Sequence, residues 1–477
     1  MLQVPSKVLR IINLLKQNGA KDVFIVGGFV RDYLLGLESK DIDIEVYGCS
    51  YSQIIDILTP HFHVDLVGQS FGVIKVDNII DIALPRRESK NGLGHKGFSV
   101  ETVPDLSPEE AFARRDFTIN AIGMRENGTF YDPFDGRGDL KRKILRAPSR
   151  AFKDDPLRPL RGMQFAARFG LQMDPQTIQY SKEAFTEFNS ISKERIYGEW
   201  EKWAFKGAYP SKGLQVLVET GWIKGFPELE QLVDHSDSSS PILQCNCLET
   251  TGLICDELVK IIQPHNFFSR DEIIILMLAS LCHKMDRKEG LTLEFLSSSE
   301  QIRKVKTNCN TLAFLKKINA PKHIVGRVVP LVLNSHIFEL IHCPTEVKTS
   351  RLSVSLAPAS IKLWFLLCSA IQLATPSSPI NSTQDDFSSY VESIPFLNLS
   401  GRQFSQIALL AKWFYIAKNL NISESVPIPL VSGRDLLDVG FKPSKEMGAV
   451  LKRLYDDQLN GLFHTKEEGL DRVKQYI

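Results

Sequence analysis

The sequence predicts an α+β chain, with strands and helices intermixed over residues 1–150 and helices nearly throughout residues 151–477. Three features predict it. A short apolar run, Val23 to Val26, leads straight into Gly27-Gly28 and then into a segment of helical spacing, Phe29 to Leu35, that stops at Gly36. Residues 40–46 alternate charged and apolar side chains (Asp41, Ile42, Asp43, Ile44, Glu45, Val46), the two-residue period of a strand with one face buried. From about Asp154 onward apolar residues recur at helical spacing and strand signals become sparse.

The remaining elements follow in order. Ile79 to Leu84 is a further strand, and glycine-rich punctuation at Asn91-Gly92-Leu93-Gly94 and Asp135-Gly136 marks turns. The polar stretches His235 to Ser240 and Pro376 to Ser389 read as loops between helical units. The expected units are therefore 1–150, 151–235, 236–380 and 381–477. No fixed-period repeat or heptad run interrupts this plan.

Composition removes several function classes. With 57 Lys and Arg against 56 Asp and Glu, the net charge is +1, so any nucleic acid must be met by a local patch and not by a whole-molecule field. The apolar runs Ile273 to Cys282 and Leu363 to Ala374 fall short of the roughly 20 residues that span a bilayer, so no membrane association is expected. Eight irregularly spaced cysteines without a secretory leader fit reduced thiols, and a cytoplasmic location is expected.

Asp41 and Asp43 carry the sharpest chemical signal. On a strand they share a face, and two adjacent carboxylates repel unless a cation sits between them. Hard oxygen donors of this kind suit Mg²⁺, which takes one or two carboxylates together with substrate phosphates. A solvated strand face is the alternative. Upstream, Gly27-Gly28 lies where a strand hands over to a helix, a place where N–H groups face an anion, and Arg31 stands one turn along to add charge. The Lys-Ser/Thr pair of a P-loop is absent, which disfavours a P-loop NTPase.

Taken together, Gly27-Gly28-Phe29-Val30-Arg31-Asp32, Leu34-Leu35-Gly36 and Asp41-Ile42-Asp43 resemble the head of the class II tRNA nucleotidyltransferase and bacterial poly(A) polymerase family. The resemblance continues in order. Arg114-Arg115-Asp116-Phe117-Thr118-Ile119-Asn120-Ala121 is similar to the family's RRDxxxNA motif, and Asp132-Pro133-Phe134 with Gly136 and Asp139-Leu140 to its next block. Asp154-Asp155-Pro156-Leu157-Arg158 resembles the EDxxR motif, and Glu194-Arg195 with Glu199 resembles ERxxxE. Near the end, Ser432-Gly433-Arg434-Asp435-Leu436-Leu437 with Lys442-Pro443 is similar to the close of longer bacterial members. Between about 235 and 425 the match is thin.

The resemblance implies a polymerase-beta-like nucleotidyltransferase head with a mixed sheet, followed by an all-α neck, body and tail. It implies Asp81 as a third catalytic carboxylate beside Asp41 and Asp43 around Mg²⁺, with Asp41 and Asp43 as the metal ligands. It further implies Gly27, Gly28, Arg31, Arg115, Asp116, Asn120, Asp155, Arg158 and Arg161 as nucleotide-binding residues. A strand-edge surface acid is the alternative for Asp81, and a helix cap the alternative for Asp155.

For Asp155 and Arg158 the hydrogen-bond inventory makes a definite expectation. A carboxylate only accepts and a guanidinium only donates. Cytosine and adenine each offer an amino donor beside a ring-nitrogen acceptor, so both satisfy the pair, whereas uracil and guanine place a carbonyl where the donor is needed. CTP and ATP are therefore the expected substrates. Arg158 and Arg161, three residues apart, fall on one helical face.

Two departures from the family pattern stand out: Asp154 where Glu is usual, and Gln164 where many members carry a third arginine. Arg86 to His95 resembles the family's flexible loop, or is an ordinary surface hairpin. Leu278 to Met285 resembles the centre of an HD phosphohydrolase helix, but Lys284 stands where the metal-binding aspartate belongs and would repel a metal. A zinc site at Cys245, Cys247 and His283 lacks a second paired spacing. The basic stretch Arg303, Lys304, Lys306, Lys316, Lys317, Lys322 and Arg327 is either a backbone track for tRNA or a solvated helix face.

The expected activity is template-independent addition of CCA to tRNA 3′ ends, with tRNA, CTP and ATP as partners, Mg²⁺ as cofactor and no obligate protein partner. A poly(A) polymerase, or an enzyme adding only CC or only A, shares the same head motifs. A non-catalytic RNA-binding protein is the alternative from another class.

Overall fold

The computed structural model describes residues 4–39, 41–65, 73–90, 98–234, 246–262, 267–286, 309–337, 344–375, 394 and 401–473. The contacts divide the chain into two compact units, residues 1–225 and 226–477.

In the first unit the amino-terminal helix α1 (Ser6–Gln17) buries Val8, Ile11, Ile12 and Leu15, one stripe at helical spacing. It leads to β1 (Asp22–Val26), α2 (Gly28–Leu34), β2 (Ile42–Tyr47) and α3 (Tyr51–Leu58). The expected strand, glycine turn and helix are all present. Gly27 takes φ +69, and a side chain there would come 3.2 Å from Asp43 Oδ2, so glycine serves both the turn and the close approach. The strands β3 (Val64–Asp65), β4 (Val73–Val76) and β5 (Ile80–Ala83) follow, then the hairpin β6 (Arg86–Lys90) and β7 (Phe98–Thr102), and α4 (Pro108–Ala113). A Ser107–Glu110 capping box with Pro108 in the first turn opens α4. Two short strands, β8 (Gly123–Met124) and β9 (Phe130–Tyr131), precede α5 (Gly136–Arg142).

The main sheet runs β3-β4-β5-β2-β1-β8-β9. Only β2 and β5 are parallel, and the other neighbours are antiparallel, which makes the sheet mixed. Register does the rest: Ile25 faces Ile44, Ile42 faces Ile80 and Ile44 faces Ile82. These isoleucines fill one side. The other side of β2 carries Asp43, Glu45 and Tyr47, with Asp41 just before the strand and Asp81 of β5 beside Asp43.

Beyond the sheet, β10 (Ile144–Leu145) pairs in parallel with β11 (Gln172–Met173), bracketing α6 (Arg158–Phe169). Helices α7 (Pro175–Ala184), α8 (Lys193–Lys206) and α9 (Pro210–Glu219) complete the unit, with α6 packed on α8 and α9.

The second unit is helical among its described residues. Cys247–Ile262 packs on Ile361–Ala374, which packs on Gly401–Asn419, and Arg270–Cys282 packs on Lys322–Asn334. The carboxyl-terminal segment has its own core of Val431, Leu436, Val450, Leu454, Phe463 and Val473. A Ser432–Asp435 capping box and an ion pair between Asp435 and Lys466 brace its first helix, Gly433–Asp438. No single described helix is long and apolar enough to cross a membrane. The polar stretches at 235–240 and 376–389, together with Arg303, Lys304 and Lys306, lie outside the described residues.

Gly136 and Gly128 give a test of packing against backbone freedom. A Cβ on Gly136 would lie 2.1 Å from the Thr118 carbonyl oxygen, whereas Gly128, at φ +79, has no described atom within 4 Å of that position. Gly136→Ala is expected to cost about 3 kcal/mol and Gly128→Ala only about 1 kcal/mol, read from denaturant midpoints. Equal losses would contradict the packing account.

Candidate active site

A cavity of about 370 Å³ opens beside the acidic face of β2. Asp43, Arg115, Asp155, Arg158, Arg161 and Arg195 all line it. Two carboxylates from the sheet, Asp43 and Glu45, thus share a space with Asp155, with Arg158, Arg161 and Arg195 of the helices, and with Arg114, Arg115 and Asp116 of the RRD-like segment. A larger open cleft of about 660 Å³ is lined by Arg150, Lys153, Asp154, Glu183 and Glu187. There the charges alternate in sign and Lys153 already pairs with Glu183 at 2.5 Å, so it is the poorer anion receptor.

Burial raises the Asp43 carboxyl above its ordinary value; Arg115 opposes the rise, and the neighbouring carboxylates of Asp81, Asp41 and Glu45 add to it. Crowded anions of this kind are relieved by a cation, and exposed carboxylate oxygens on one strand face are suitable hard donors. Asp41 and Asp43 fit that requirement. Asp81 stands opposite Asp43 in register, but its Oδ1 lies 3.1 Å from Lys75 Nζ, so its charge is shared with a lysine. Among the described residues no group of three His, Cys, Asp or Glu side chains is arranged to hold a metal.

Asp116 organises the arginines. Its Oδ1 accepts from the Phe117 amide at 2.8 Å and from Asn120 Nδ2 at 2.9 Å, and its Oδ2 accepts from Arg161 Nε at 2.8 Å. Burial pushes this carboxyl up, but Arg161 and the Asn120 hydrogen bond outweigh it and hold the group at about 2.

Arg31, expected at a phosphate, is held by partners of the protein. It is only 4% exposed, donates to Asp32 and, at 2.7 Å, to Asn120 Oδ1, and lies over the rings of Phe165 and Phe169. Within the protein its charge is met by Asp32 and Asn120. Asn120, buried between Arg31 and Asp116, likewise braces the site from behind. Arg168 extends the chain by donating to Asp32 at 3.3 Å. Gln164, 3% exposed, faces the interior, so an arginine there would have no open path to the cavity without repacking.

Asp155 and Arg158 are each fixed by partners. Arg195 Nη2 donates to both Asp155 oxygens at 3.1 and 2.9 Å, while the Leu157 amide donates to Oδ1 at 3.0 Å. The expected helix cap is not formed at Asp155: α6 begins after Leu157 without a side-chain cap, and the Asp155 carboxylate closes the turn just before it while lining the cavity. Arg158 donates to the carbonyls of Ala151 at 2.7 Å and Arg114 at 2.6 Å, which sets its guanidinium plane. Gly28 makes only ordinary contact with Arg31.

Sequence reasoning missed two contributors. Arg195 belongs to a recognised motif yet gave no sign of reaching Asp155, 40 positions away. Glu45 was visible as the next member of the Asp41, Asp43 alternation, and it accepts from Arg115 Nη2 at 2.5 Å and from the Tyr47 hydroxyl at 3.1 Å. Elsewhere, His283 is buried with Nδ1 2.8 Å from the Ser280 carbonyl, and Lys284 is buried beside it. Cys245 lies outside the described residues.

The Asp116 value sets a pH dependence. Because about 2 lies below the ordinary 3.8, its stabilisation is complete above the ordinary value and is lost as the pH falls through about 2. The contribution is on the order of 2 kcal/mol. Asp116→Asn is expected to flatten stability between pH 4 and 2, measured by urea unfolding, and an unchanged slope would contradict the assignment.

Comparison with known proteins agrees with this geometry. Residues 23–146 match the family model of the poly(A) polymerase head domain, and residues 170–232 match that of a probable RNA and SrmB-binding site of polymerase A. The Multifunctional CCA protein of Nitrosococcus oceani is 39% identical over 215 residues, covering 44% of this chain and 52% of that protein. That of Actinobacillus pleuropneumoniae serotype 5b is 35% identical over 279 residues, covering 57% and 64%. The matched region thus spans about half to two thirds of the curated relatives' length. The Bacillus stearothermophilus CCA-adding enzyme in complex with CTP superposes with a TM-score of 0.63 at 22% identity, covering 99% of both chains. The Thermotoga maritima CCA-adding enzyme complexed with tRNA gives 0.57 at 21%, covering 99% of this chain and 96% of that one. At these identities the structures carry the fold, a mixed-sheet head followed by helices. By sequence, residues 23–146 are thus similar to the poly(A) polymerase head domain.

Proposed function

We propose that this protein adds CCA to tRNA 3′ ends from CTP and ATP without a nucleic-acid template, releasing pyrophosphate. The observation that carries the reading is the shared cavity, in which Asp43 and the Asp155, Arg158 and Arg161 group line one space. The names of the curated relatives and the CTP, ATP and tRNA held by the structural neighbours support the same substrates.

Asp41 and Asp43 would hold Mg²⁺, which when bound activates the RNA 3′-hydroxyl and steadies the triphosphate and departing pyrophosphate. Arg115 and Arg161 supply positive charge to the phosphates, each held by a buried acid so that its guanidinium does not wander. Asp155, presented by Arg195, accepts the amino proton of cytosine or adenine, and Arg158 donates to the ring nitrogen beside it. Uracil and guanine leave the Asp155 acceptor facing a carbonyl, and a buried unmet polar group costs about 1 to 3 kcal/mol. Asp81 would complete the catalytic set once its hold on Lys75 is released. Arg31, Asn120 and Asp116 act as the brace behind the phosphate-facing groups.

In this reading residues 1–150 form the catalytic head and 151–235 the neck. Residues 236–380 form the body, whose HD-like helix is degenerate, and 381–477 the tRNA-binding tail. Lys316, Lys317, Lys322 and Arg327 offer a phosphate track on the helices Asn310–Lys317 and Lys322–Asn334. The reaction belongs in the cytoplasm, where free thiols stay reduced.

The test is incubation of the full chain and Mg²⁺ with tRNA ending at the discriminator base, offering CTP alone, ATP alone and both. Two C additions from CTP, completed to CCA only when ATP joins, is the expected result. Long A tails from ATP alone would establish a poly(A) polymerase, arrest after CC a CC-adding enzyme, and no product an RNA-binding protein. Asp43→Asn should lower incorporation on the order of a thousandfold without loss of tRNA binding.

A further inference from the structure

Glu45 stands where a strand would ordinarily bury an apolar side chain. It is 7% exposed, and its neighbours on the same face of β2 are Asp43 and Tyr47. A buried carboxylate is costly unless both oxygens find donors. Glu45 finds them in the Tyr47 hydroxyl, 3.1 Å from Oε1, and in Arg115 Nη2, 2.5 Å from Oε2. Tyr47 is itself locked in an aromatic cluster with Phe24 and Phe112, so the carboxylate is set from below. Above it, the Arg115 guanidinium rests over the Phe112 ring and donates through Nη1 to the Asn120 carbonyl at 3.4 Å.

The same Nη1 lies 3.4 Å, and Asp43 Oδ2 3.2 Å, from the point where a side chain on Gly27 would begin. Arg115 and Asp43 therefore share one small space, and Coulomb attraction would draw the cation onto the catalytic carboxylate if nothing else held it. Glu45, which lines the same cavity and holds Nη2 while Nη1 lies toward Gly27 and Asp43, is a second anion that opposes that collapse.

We propose that Glu45 is a positioning residue: it holds Arg115 off Asp43 and keeps the guanidinium facing the triphosphate of the incoming nucleotide. This rests on the nucleotidyltransferase reading above and adds to it the residue that keeps the phosphate arm and the catalytic carboxylate apart. Because a triphosphate is common to all nucleotides, the effect falls on CTP and ATP alike.

The experiment compares the wild-type full chain with Glu45→Gln, Arg115→Gln, the double variant and Tyr47→Phe. Nucleotide KM and kcat are measured in extension assays, and CTP binding by equilibrium dialysis. Glu45→Gln is expected to raise KM for both nucleotides about tenfold and weaken CTP binding equally, with kcat within about threefold. The double variant should be no worse than Arg115→Gln alone, because the two residues act as one unit. A wild-type KM in Glu45→Gln, or penalties that multiply in the double variant, would overturn the proposal and leave Glu45 a purely structural acid. If Glu45→Gln does not fold, Tyr47→Phe decides: a KM rise of about threefold supports the proposal and an unchanged KM refutes it. A wild-type chain that incorporates no nucleotide removes the nucleotidyltransferase reading itself, and this inference with it.

Discussion

The Asp116 carboxylate is the constraint on which the arrangement of charges depends. Both of its oxygens are occupied, one by the Phe117 amide and Asn120, the other by Arg161. Since Arg161 belongs to α6 and Asn120 reaches Arg31 on α2, this acid fastens the helix that lines the cavity to the helix that follows the first strand. Arg31 then pairs with Asp32, and Asp32 with Arg168 in the last turn of α6, so the connection closes on itself. A buried chain of ion pairs and charge-assisted hydrogen bonds is costly to break at any one link, because each break leaves a charge or a polar group without its partner. Such a brace lets exposed arginines stand in fixed positions without being neutralised.

The same logic recurs at smaller scale around each cavity residue. Arg195 presents Asp155, two backbone carbonyls present Arg158, and Glu45 presents Arg115. Each group that would meet substrate is oriented by a fixed protein partner. The entropy of ordering these side chains is met in folding, so it is not charged again on binding. In the proposed reading base choice depends on this rigidity, since a loose carboxylate could turn away from the base and leave its edge unread.

Much of the head was legible in the sequence because its signals are local. The Asp41 to Val46 alternation, the Val23 to Val26 run and the glycines that follow it each depend on neighbours within a few positions, and β2, β1 and α2 formed where they point. The motifs named the right neighbourhood but not each residue's task. Arg31 was expected at a phosphate and lies inside, because the partners that turn it inward, Asn120 and the Phe165 and Phe169 rings, are 89 or more positions distant. Arg195 and Glu45 escaped notice for the same reason: their roles exist only through Asp155 and Arg115, which folding brings to them. The strand that carries Asp81 was legible in Ile79 to Leu84, yet the contact of Asp81 with Lys75 depends on the antiparallel register of β4, which no local signal fixes.

The central claim is that rigidly held protein side chains, with no nucleic-acid template, select the base. It is tested most directly by equilibrium binding of CTP, ATP, UTP and GTP to the wild-type chain with Mg²⁺ and without RNA. The account predicts that CTP and ATP bind and that UTP and GTP bind weaker by about a hundredfold, the consequence of two unmet polar groups. Equal affinity for all four would contradict it.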